Sequence, residues 1–194
     1  MDPDRTRLHG HAGGIGFIGA CLAAVLALTA GCASVPSAPL PSAAPVDLSR
    51  FMGDWYVIAC IPTFIERDAV DAVESYRLDP DGTIATTFRF HAKTPEGPLK
   101  VYHPRGFVVP GTGNAVWGMQ FLWPIKAEYR ILALAPNGEW TIIGRSARDY
   151  VWLMARHPTM SADDSAAAEK LMLAAGYRLE TLRHVPQSGA SKTP

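Results

Sequence analysis

The sequence predicts an all-β domain: an eight-stranded antiparallel up-and-down barrel, followed by one C-terminal α-helix and a short final strand. Three observations carry this. From Arg50 to about Val185, runs rich in β-branched and aromatic residues alternate with turn signals, and Asp81-Gly82 and Asn137-Gly138 between such runs are strong short-range hairpin signals. The connections are short, so successive runs pair as a meander, and a meander hides its edges best by closing on itself. A helical pattern interrupts the β text late, after residue 161.

The runs follow in order. DWYVIACI comes first, opened by Gly53. AVESYRL meets the turn Asp79-Pro80-Asp81-Gly82 and returns as TIATTFRF. LKVYHPRGFVV meets Pro110-Gly111-Thr112-Gly113 and returns as NAVWGMQFLW. AEYRILAL meets Pro136-Asn137-Gly138 and returns as EWTIIGRS, and DYVWLMAR closes the set. Ser161 can cap the helix with Asp163 and Asp164 in its first turn; Leu171, Met172 and Ala175 share a face, and Gly176 stops it. YRLETLRHV reads as the last strand and residues 186–194 as a disordered tail.

The beginning of the chain is not fold. Arg5 and Arg7 precede an uncharged apolar stretch that ends Leu28-Thr29-Ala30-Gly31-Cys32. A basic start, an apolar centre and a small-residue end describe a secretory signal over residues 1–31. The ending resembles a bacterial lipobox, which implies that Cys32 is lipidated and becomes the mature N-terminus. Residues 32–47 are Ala-, Pro- and Ser-rich, a semi-rigid tether, and the domain spans 48–185. The formal net charge is zero, which excludes a nucleic-acid footprint and permits a homodimer. Cys60 alone is left in the mature chain, so no internal disulfide forms there. No metal-ligand spacing occurs among the histidines, and no cofactor motif is present.

Three motifs in this frame resemble the lipocalin family, and within it the apolipoprotein D-like bacterial outer-membrane lipoprotein lipocalins. Gly53-Asp54-Trp55 matches the G-x-W that opens the first strand. Asp149-Tyr150, with Arg148 in a Thr position, matches the aspartate-tyrosine turn. Arg156 stands at the end of the eighth strand. The resemblance covers about residues 48–185. It implies that Arg156 lies on Trp55 at the closed end of the barrel, and that Gly53, Trp55, Asp149, Tyr150 and Arg156 are structural residues of the floor. Ala33 after the lipidated Cys implies the outer membrane, with the domain facing the periplasm.

Strand parity gives the lining of the cup. With Trp55 inward, Val57, Ala59 and Ile61 follow, and Cys60 points out. Glu74 and Tyr76 share a face, as do Phe88 and Phe90, and Trp117, Met119 and Phe121; Tyr129 and Trp152 complete the set of ligand-binding candidates. Such an interior suits a fatty acid or a lysophospholipid, carried or stored in membrane maintenance. Parity does not separate this reading from a filled barrel whose loops bind another envelope protein. No inward nucleophile or acid–base pair is readable, so catalysis is not expected. Glu66, Arg67 and Asp68 belong to the loop at the mouth, either solvated or in contact with a head group, and Arg105 reads as a surface charge.

Overall fold

The structure is a computed structural model and describes residues 39–188. The signal segment, Cys32 and residues 189–194 lie outside the described residues. The barrel strands are β1 (Gly53–Ile61), β2 (Ala69–Leu78), β3 (Thr83–Ala92), β4 (Leu99–Tyr102), β5 (Arg105–Val108), β6 (Val116–Leu122), β7 (Ile125–Leu134), β8 (Trp140–Gly144) and β9 (Val151–Ala155). All ladders are antiparallel in chain order, and β1 pairs with β9 to close the barrel. β4 and β5 are halves of the fourth barrel strand and both pair with β3. The break falls at His103-Pro104, where proline has no N–H to give the ladder. Eight barrel strands therefore result, as the turn spacing predicts.

The strand ends define two rims. Helix α1 (Leu48–Phe51) lies at the rim where β1 starts, and Asp47 caps it by accepting from the Ser49 and Arg50 N–H groups. The opposite rim carries the loops 62–68, 93–98, 123–124 and 145–150. Helix α2 (Ala162–Ala174) packs outside the wall through Ala168, Met172 and Ala175, an i, i+4, i+7 stripe, against Ala59, Val151, Leu153 and Ala155. Ser161 is its N-cap, and Leu171 points to solvent rather than into this stripe.

A bulge corrects the parity of β1. Its register on β9 shifts between Val57 and Ala59. An extra residue on one strand reverses the faces beyond it. Cys60 consequently joins Trp55 and Val57 in the interior cluster, while Ala59 and Ile61 pack on the helix side. The ends of the domain also reach past 48–185. Leu40, Ala43 and Val46 pack on the barrel, and Ala43 N–H donates to Ile131 O at 2.9 Å. The last strand shrinks to β10 (Arg183–His184), after a single 3₁₀ turn at Leu179–Thr181. Beyond it the Gln187 amide donates to Val57 O and Ala72 O at 2.9 and 3.1 Å, and Asp71 N–H donates to Pro186 O. These bonds stitch β1 to β2 where their own ladder ends at Tyr56, which is why residues 186–188 are ordered.

Candidate ligand-binding site

The closed rim is built first. Gly53 has φ 97°, a conformation that an L side chain rarely adopts, and this turns the chain into β1 beneath Trp55. Trp55 is fully buried and its indole N–H donates to Phe51 O at 2.8 Å. The Arg156 guanidinium sits 3.7 Å from the Trp55 ring centroid. It donates to Asp54 O, Arg50 O and Phe51 O at 3.0, 2.7 and 3.1 Å. A planar fork of donors over an indole face satisfies three carbonyls at once. Phe51 extends the plug, edge-on to Trp117 at 5.5 Å and tilted on Trp55 at 5.0 Å.

Above this plug the barrel holds a cavity of about 260 Å³. That is just below the usual size of ligand sites, which run from about 300 to 1,000 Å³. Six of the eight candidate residues line it: Glu74, Phe88, Met119, Phe121, Tyr129 and Trp152. Tyr76 and Trp117 do not. They belong to the floor beneath, where Trp117 stacks on Tyr129 at 5.0 Å and 11° and donates its indole N–H to Asn114 O. Parity put them on the right face; their height in the barrel, set by the register, put them under the cavity.

Two carboxyl groups enter this apolar space. Glu66 comes from the first loop and is buried, not solvated. The Trp152 indole N–H donates to its two oxygens at 3.1 and 3.2 Å, and Thr63 N–H donates to Oε1 at 3.0 Å. Burial pushes the Glu66 carboxyl up from its ordinary range against these bonds. Glu74 stands on β2 between Trp55 on β1 and Phe88 on β3, its direct cross-strand neighbours. Tyr76 O–H donates to its Oε2, and Tyr129 shares a hydrogen bond with Tyr76 at 2.6 Å. Glu74 is half-buried and lines the cavity. Burial first, and the charge of Glu66 second, raise its pKa to about 8. Burial also raises the Tyr129 phenol well above its usual value. The inward thiol of Cys60 is pushed up to about 12 by burial, so it is a poor nucleophile.

The mouth departs from the expected assignment of motif residues. Gly53, Trp55 and Arg156 make the closed end, but Asp149 and Tyr150 precede β9 at the open rim. Tyr150 lines the cavity, and Asp149 pairs with Arg145 at 3.0 Å while the Arg145 guanidinium lies over the Tyr150 ring. The turn holds because Arg148, at φ 55°, donates from Nε to Ala175 O and ties the loop to the end of α2. Sequence reasoning passed over Arg145, Ala127 and Thr63 at this rim; their signal was position, since each flanks a turn at the end opposite Trp55. The rim is apolar beyond the cavity: Phe64, Leu122, Trp123 and Ile125 are 77%, 71%, 82% and 66% exposed. Arg105 is a surface residue bonded to Asp79 and Thr83.

The comparisons agree with this geometry. A family model described as a lipocalin-like domain matches residues 46–187. Temperature-induced lipocalin-1 of Arabidopsis thaliana is 27% identical over 160 residues, 74% of this chain and 80% of that protein. Outer membrane lipoprotein Blc of Vibrio cholerae is 25% identical over 131 residues, covering 67% and 75% of the two chains. The Blc protein of Escherichia coli K12 is 25% identical over 146 residues, covering 74% and 81%. Among solved structures, insecticyanin from the tobacco hornworm superposes with a TM-score of 0.63 at 14% identity, over 78% of this chain and 86% of that one, a likeness of fold.

Proposed function

The chain belongs to the lipocalin family, and on that premise we propose that it is a lipid-anchored outer-membrane protein, facing the periplasm, that binds a fatty acid or lysophospholipid in its barrel. The observation that carries this is the apolar cavity above a sealed aromatic floor, walled by Phe88, Met119 and Trp152. Burying an acyl chain there contributes about 0.8 kcal/mol per methylene before the costs of association. The relatives named as outer membrane lipoproteins support the location, as does the lipobox-like ending at Cys32. The role is storage or carriage in membrane maintenance rather than catalysis.

The second reading, an interaction module for another envelope protein, draws on the exposed rim of Phe64, Leu122 and Trp123. One experiment separates the two. Residues from Pro39 onward form a compact unit with their own core, and native mass spectrometry of this unit made in the periplasm reads its occupant directly. Discrete adducts of fatty-acid or lysolipid mass are expected. A bare polypeptide that also ignores added lipids would favour the second reading.

A further inference from the structure

The interior carries acid where an anionic ligand would want base. Glu74 reaches the cavity from β2, and its Oε2 is engaged by Tyr76, itself joined to Tyr129. Among the described residues Oε1 has no hydrogen-bond partner, and the cavity reaches this residue. The titratable groups facing Glu74 are Tyr76 on its own strand, Tyr129 from β7 and Glu66 from the first loop. The flanking strands present Trp55 and Val57 from β1, and Thr86 and Phe88 from β3, none of them charged. The cations near the barrel are spent elsewhere. Arg156 lies on the outer face of Trp55 and Arg145 pairs with Asp149 at the mouth; Arg183 donates to Ala69 O and acts on Glu66 and Cys60, not on Glu74.

A carboxylate pushed down to Glu74 would meet a second carboxyl group where no cation acts, which disfavours it. A protonated amine would find the reverse: a free acceptor on a group whose other oxygen is already held in place by a tyrosine pair. We propose that Glu74, oriented by Tyr76 and Tyr129, is a recognition site for the protonated amine of a single-chain amphiphile that binds with its nitrogen at the cavity floor and its alkyl chain toward the mouth. This rests on the reading of the cavity as a site for one amphiphile, and it names the polar group favoured at the cavity floor, whereas the head group of a fatty acid or lysophospholipid would stay at the mouth. Ion pairing in a water-poor cavity is stronger than in solvent, so the preference is carried by the buried acid and not by the exposed rim.

The test is displacement of a polarity-sensitive fluorescent probe by three ligands of one chain length: dodecylamine, dodecanol and dodecanoate, on the unit from Pro39 onward. Wild type should bind dodecylamine at least about tenfold more tightly than dodecanol at pH 8. Glu74→Gln keeps the shape and an acceptor for Tyr76, and should erase that preference, weakening dodecylamine at least about tenfold. Because only ionised Glu74 pairs with the amine, wild-type affinity for dodecylamine should rise about tenfold per unit as pH climbs toward 8, then level off. The pH series needs no variant, so it holds even if Glu74→Gln folds poorly. Equal binding of amine and alcohol by wild type, or a pH-independent amine affinity, would overturn the amine site and leave the amphiphile reading standing. Failure of all three ligands would overturn both.

Discussion

The two ends of the barrel spend their polar groups differently. At the closed end the hydrogen bonds of the plug run to backbone carbonyls: Trp55 to Phe51 O, Trp117 to Asn114 O, and Arg156 to three carbonyls in residues 50–54. Inside the cavity, carboxyl groups bond side chains, Tyr76 to Glu74 at its floor and Trp152 to Glu66 toward the mouth, and at the open rim large apolar side chains stand in solvent. A group bonded to its own backbone has little left to offer a ligand. A buried carboxyl with an unused oxygen costs folding energy and keeps binding capacity. The closed end is therefore where stability is made, and the cavity is where part of it is given up.

The largest test of this contrast is Trp55→Ala. Removing the indole opens a hole in the plug and strips Arg156 of its platform, so urea unfolding should show a loss of about 3–5 kcal/mol. A loss below about 1 kcal/mol would mean that Phe51 and Trp117 seal the floor by themselves.

Next is the pH dependence of stability. The Glu74 carboxyl titrates near 8 in the folded chain and near about 4.3 when unfolded. Its favourable contribution is complete below the unfolded value and is lost as pH rises through 8. Relative to Glu74→Gln, wild type should lose stability steadily between about pH 5 and 8, by on the order of a few kcal/mol in all. Parallel curves for the two proteins across this range would show that water reaches Glu74 freely.

Arg156→Lys should cost about 1–3 kcal/mol, because an ammonium keeps the charge but cannot serve the three carbonyls and the ring together. Chemical denaturation at two salt concentrations checks it, and a strong salt dependence would instead point to charge alone. The smallest effect belongs to the rim: Trp123→Ser should move stability by less than about 0.5 kcal/mol, since this indole is almost wholly exposed. A larger loss in the same assay would mean that the β6–β7 tip packs on the barrel and the two ends are less distinct than they look.

Several features were legible in the text of the chain. The strand list, its turns and the helix after residue 161 follow from local chemistry, namely Gly and Asn at turns, β-branched alternation and a serine cap. The stacking of Arg156 on Trp55, a hundred residues apart, came through the family motif, and the structure shows it at 3.7 Å. What escaped was of another kind. Cys60 changed faces because parity is a local rule that one bulged residue resets. Tyr76 and Trp117 lay under the cavity, and Tyr150 beside it, because height along the barrel depends on register accumulated around eight strands. Gln187 left the tail to bridge β1 and β2, since carbonyls there lacked partners that only closure reveals. The sequence by itself determined the strands, their turns and that the chain would close into a barrel. Only the tertiary structure decided which inward residues meet, because Glu74, Tyr76 and Tyr129 come together through strand pairing across the barrel and not through spacing along the chain.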